Sequence, residues 1–126
     1  MLWIELFKGD KGMEDALITI LEGFKYPVFR QGSLGDNPYP DTFFTYWGSN
    51  EVEHSAYDNQ TESVDYTYSV FVYSTSPSLA YSLLSEARGA LKEAGWIIAT
   101  RGFDAPSDEI THVGRGMLLY YLNNEN

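Results

Sequence analysis

The sequence predicts an α+β fold, a mainly antiparallel sheet of four to five strands with two helices packed on one face. Three observations lead there. The first is a strand–helix–strand unit from Val64 to Ala99. The second is a separate helical period between Asp10 and Gly23. The third is a set of short aromatic and β-branched runs divided by turn residues.

In chain order, Met13, Ala16, Leu17, Ile20 and Leu21 recur at the spacing of one helix face. Glu14 and Asp15 sit early, where the helix dipole favours acids. Trp3, Leu6 and Phe7 fit an additional turn before Gly9, with a short strand as the alternative. Tyr26–Gln31 reads as a short extended segment whose Pro27 suits its entry or an edge position. Residues 32–41, rich in Gly, Asn, Asp and Pro, read as turns. Thr42–Trp47 is a strong strand. From Gly48 to Glu62 the chain is polar and acidic, the composition of a long hairpin arm or functional loop.

The central strand follows. Tyr66, Tyr68, Val70 and Val72 alternate with Asp65, Thr67, Ser69, Phe71 and Tyr73, and the last two suggest that the second face is covered towards its end. Ser76 is a good N-cap and Pro77 a good first helical residue, because proline's missing N–H would have had no helical partner there. Leu79, Leu83, Ala87, Ala90, Leu91 and Ala94 then repeat at helical spacing, and Gly95 is the expected left-handed stop. Trp96–Ala99 begins another strand. Residues 102–109 read as a loop, Thr111–Leu122 as the closing strand, and 123–126 as a frayed tail. The whole is expected to be one domain, residues 1–126.

Composition limits the chemistry. There is no cysteine, which excludes disulfides, thiolate metal sites and a cysteine nucleophile. The opening Met1–Phe7 lacks the basic leader and cleavage pattern of a signal peptide, and no apolar run approaches a bilayer span. Eighteen acids against eight bases leave a net charge of −10, and no Lys or Arg occurs between Arg30 and Arg88. Such a surface repels phosphate, so tight nucleic-acid binding is not expected. Solubility explains the charge most simply. A surface that must not hold DNA, or that meets a basic partner, is the sharper explanation.

No catalytic or metal constellation emerges. His54 lies near Glu51 and Glu53, and His112 follows Asp108 and Glu109, but neither group has a recognised ligand spacing. Both histidines therefore read as solvated loop residues. No GxSxG elbow or phosphate-binding glycine pattern is present. Arg115, flanked by Gly114 and Gly116, marks a bulge or close backbone approach in preference to an anion site. The tyrosine rows at Tyr66, Tyr68 and Tyr73, and at Tyr120 and Tyr121, suit cross-strand packing or a subunit interface. No enzyme activity and no cofactor are expected.

Several runs carry a resemblance: Tyr39–Trp47, Ala56–Asn59, Leu91–Trp96 and Pro106–Glu109, followed by Thr111-His112 and Gly114-Arg115-Gly116. In this order the chain resembles the tail-completion or tail-terminator proteins of long-tailed phages, from about Tyr26 onward. The resemblance implies a structural virion protein at the tail–head junction, made in the host bacterial cytoplasm. Its implied partners are copies of itself in a ring (typically a hexamer), the tail tube protein and the head connector. DNA would pass through without specific binding, and no membrane is involved. An acidic lining and a head-to-tail arm suit such a ring. Glu51, Glu53, His54, Tyr57, Asp58 and Glu62 are then the candidate contacts with a neighbour or the tail tube. Two alternatives remain: a neck protein of the same cassette, and a small acidic DNA-mimic inhibitor.

Overall fold

The computed structural model describes residues 10–34, 37–55 and 62–125. The expected first turn at Trp3–Phe7 lies outside them. The elements are helix α1 (Asp10–Glu22), strands β1 (Val28–Arg30), β2 (Thr42–Ser55) and β3 (Glu62–Ser74), helix α2 (Pro77–Glu93), then β4 (Ile97–Ile98), β5 (Phe103–Ala105) and β6 (Val113–Glu125). All strands join one six-stranded sheet in the order β1-β2-β3-β6-β4, with β5 also on β6. Among the described residues β1 is parallel to its neighbour and the other pairings are antiparallel. The fold is α+β with both helices on one face.

The sheet has one strand more than the upper expectation, because residues 103–105 pair with 114–116 where the sequence reads as a loop. The acidic stretch after Trp47 largely continues β2. It pairs with β3 as far as Ser55 and Glu62, after a register shift between Gly48 and Asn50. Residues 56–61 lie outside the described residues. The tail expected to fray at Asn123 instead extends β6 to Glu125, opposite Glu62. The ladder supplies those backbone groups with partners that composition does not reveal.

Local chemistry sets the α2 boundaries. The Ser76 hydroxyl accepts from the Leu79 N–H at 3.3 Å, and Pro77 opens the first turn. At the far end the Gly95 N–H bonds the Lys92 carbonyl and the Trp96 N–H the Leu91 carbonyl, a Schellman closure with Gly95 at φ 102°. Between these ends Ala80, Leu83, Leu84, Ala87 and Leu91 are buried. They pack on Tyr66, Tyr68, Val70 and Val72 of β3 and on Met117 and Leu119 of β6, while Leu17 and Leu21 of α1 complete the core. Fully burying each leucine contributes roughly 1.5–3 kcal/mol. At its far side α1 is tied to the sheet through Glu14, which accepts from Arg30 at 3.2 Å and from the Tyr46 hydroxyl at 3.1 Å.

Candidate functional site

Among the described residues the helices pack on one face of the sheet, so function is sought on the other. Register places Phe43, Thr45 and Trp47 of β2 opposite Tyr73, Phe71 and Ser69 of β3. Those in turn face Gly114, Gly116 and Leu118 of β6, and Phe103 and Ala105 of β5 lie beyond the two glycines. This uncovered face has two halves of different character.

One half is a recess. The turn after β1 and the loop after β5 border an open recess of about 470 Å³. Its floor is aromatic. Phe43 stacks on Tyr73 with ring centroids 5.4 Å apart, and Phe71 stacks on Tyr73 at 6.2 Å. Tyr39 meets Phe43 edge to face at 5.6 Å. The polar wall comprises Gln31, Thr45, Ser107 and Asp108. The Thr45 hydroxyl donates to Gln31 Oε1 at 2.7 Å, which fixes the amide. Burial pushes the Tyr73 phenol above its ordinary value; the charges of Asp108 and Tyr39 add to this, while a side-chain hydrogen bond with Gln31 opposes it.

The glycines make the recess possible. A Cβ on Gly116 would lie 2.5 Å from the Phe71 ring, and one on Gly114 would lie 2.7 Å from both the Tyr73 ring and the Ala105 carbonyl oxygen. The rings therefore lie flat over bare backbone. The β6 register runs unbroken through Gly114-Arg115-Gly116, so this is a close approach and not a bulge. Arg115 points to the opposite face, where Asp104 accepts from its guanidinium at 2.9 Å and the Tyr81 ring lies 4.9 Å away.

His112 departs from its expected place in solvent: it is buried beside the recess. Its Nε2 donates to the Pro40 carbonyl oxygen at 2.8 Å, and Nδ1 and the Thr111 hydroxyl share a hydrogen bond at 3.0 Å. The ring also packs edge-on against Tyr39, at 5.8 Å. It serves as a clasp between the start of β6 and the segment before β2. Among the described residues there is no cluster of metal-ligating side chains and no helix long and apolar enough to cross a membrane.

The second half of the face is open and apolar. Trp47, Ile97, Leu118 and Tyr120 are 47, 46, 38 and 37% exposed. Register sets Trp47, Ser69 and Leu118 in one row and Thr67, Tyr120 and Ile97 in the next. Of the expected tyrosine rows, Tyr66, Tyr68 and Tyr121 belong to the helix-side core, where Trp96 lies edge-on to Tyr68 and Tyr121 at 5.7 and 5.3 Å.

The candidate contacts of the arm fall beyond this open half. Glu51, Glu53 and His54 of β2 pair with Tyr66, Val64 and Ser63, and Glu62 pairs with Ser55. Tyr57 and Asp58 lie outside the described residues. Sequence reasoning missed the recess, whose lining is spread from Gln31 to Asp108. Its one signal was the aromatic character of Phe71 and Tyr73 on the supposed outer face. Compared with known proteins, the chain matches no family model and no curated relative.

Proposed function

We propose that this chain is a structural subunit that self-associates into a ring, as a tail-completion protein at the head–tail junction of a long-tailed phage. The observation that carries self-association is the open half of the sheet face, where Trp47, Ile97, Leu118 and Tyr120 are exposed in two adjacent rows. Exposed apolar side chains gathered on one sheet face mark an interaction surface. The resemblance of Tyr39–Trp47 and the later runs supplies the setting. The net charge of −10 suits a passage through which phosphates move without being held. On this reading the arm carrying Glu51, Glu53 and His54 reaches a neighbour or the tail tube, and the subunit performs no chemistry.

Native mass measurement and negative-stain imaging test this. A closed ring, and capture of purified tail tubes by their open ends, is the expected result. A chain that remains monomeric at high concentration and ignores tail tubes would end the proposal.

A further inference from the structure

The recess has its own recognition chemistry, and its assignment does not rest on the ring. Its volume of about 470 Å³ lies in the range of true binding pockets and exceeds the needs of a stray water cluster. Tyr39, Phe71 and Tyr73 are half-buried at its wall, so part of each ring is open to an occupant. Among the described residues, the charged side chain in the lining is Asp108, and no Lys or Arg contributes. His112, which packs against Tyr39 and Phe43 beside the recess, directs its Nε2 to the Pro40 carbonyl. Electron-rich ring faces, one carboxylate and no competing base favour a cation. An anion would meet repulsion, and a purely apolar guest would leave Asp108 and Gln31 without gain.

We propose that this recess binds an arginine or lysine side chain presented by a protein partner, its cationic group held against Tyr39, Phe71 and Tyr73 with Asp108 as counter-ion. A side chain with the turn that bears it fits the space. The floor is preorganised, because the close approaches to Gly114 and Gly116 hold the rings down before any partner arrives. A net charge of −10 steers a basic partner surface towards the site.

The test is a proton NMR titration of the intact chain with N-acetyl-arginine amide, N-acetyl-lysine amide and the neutral mimics N-acetyl-citrulline amide and N-acetyl-norleucine amide. Saturable shifts of the Tyr39, Phe71 and Tyr73 ring resonances are expected with the two cations. The neutral mimics should bind about tenfold more weakly, the loss of one cation–π and ion-pair contact. Asp108→Asn should weaken arginine amide by a similar factor. Asp104→Asn, whose carboxylate instead meets Arg115, should leave it unchanged. Equal binding of citrulline and arginine amides, indifference to Asp108→Asn, or no saturable shift would each overturn the proposal. So would putrescine binding more tightly than either amide, which would assign the site to a free polyamine. Because the probes act on single chains, failure here leaves the ring proposal standing, and a monomeric chain leaves this one standing.

Discussion

At the scale of the residue, Gly114 and Gly116 are alike in sequence and different in consequence. The nearest atoms to a methyl on Gly116 belong to rings, Phe71 at 2.5 Å and Phe103 at 3.0 Å, whereas one on Gly114 also meets the Ala105 carbonyl oxygen of a paired strand at 2.7 Å. Each glycine-to-alanine change should cost about 1–3 kcal/mol by overpacking, seen as a lower denaturation midpoint at unchanged m-value. Adding Phe71→Leu should recover much of the Gly116→Ala loss relative to Phe71→Leu alone. Tyr73→Leu should recover little of the Gly114→Ala loss, because a backbone oxygen cannot step aside. Equal recovery in both pairs would refute this account.

Tyr73 has a second signature. Burial raises its folded phenol above the ordinary 10.0, so the folded state holds that proton more tightly than the unfolded chain does. The resulting stability is complete below pH 10 and is lost as pH rises through the folded value. Tyr46 behaves in the same sense, through burial first and then its hydrogen bond to Glu14 and the charge of that carboxylate. Denaturant midpoints followed from neutral to strongly alkaline pH should therefore fall for the native chain. The fall should be shallower for Tyr73→Phe, with Tyr46 accounting for part of what remains.

At the scale of the element, α2 should depend measurably on its caps. Ser76→Ala removes the acceptor for the Leu79 N–H and should cost about 1 kcal/mol, while Ser76→Asp should retain most of the stability. Thermal unfolding of the two variants checks this. The same helix shows what sequence can disclose. Ser76-Pro77 and Gly95 act through bonds to residues a few positions away, so both ends are legible, as is the buried stripe between them. β5 was not legible: Phe103–Ala105 is extended only because β6 offers a free edge, and three residues carry no period of their own. The arm was legible as a polar hairpin or loop, and its ladder with β3 decides for the hairpin through backbone pairing that side chains do not announce. His112 and the recess are harder still. Their partners, Pro40 for one and residues from Gln31 to Asp108 for the other, meet only after the sheet has formed.

At the scale of the whole molecule, the proposed ring demands a particular interface symmetry. Head-to-tail rings join two different surfaces, whereas a two-fold dimer joins one surface to itself. The open apolar half around Trp47 is one candidate surface, and the arm bearing Glu51 and Glu53 is the other. Trp47 is 47% exposed, so Trp47→Asp should leave the thermal midpoint nearly unchanged while disabling the first surface. Glu51→Lys with Glu53→Lys should disable the second. Each variant alone should be monomeric by light scattering. Mixed in equal amounts, one supplies an intact apolar face and the other an intact arm, so a single heterologous contact forms and the mixture stops at a heterodimer. If the native contact were two-fold through one of these surfaces, the variant that keeps that surface would dimerise alone, and the mixture would hold that homodimer beside a monomer. Heterodimers in the mixture would therefore establish head-to-tail joining, and their absence would remove the arm from the interface.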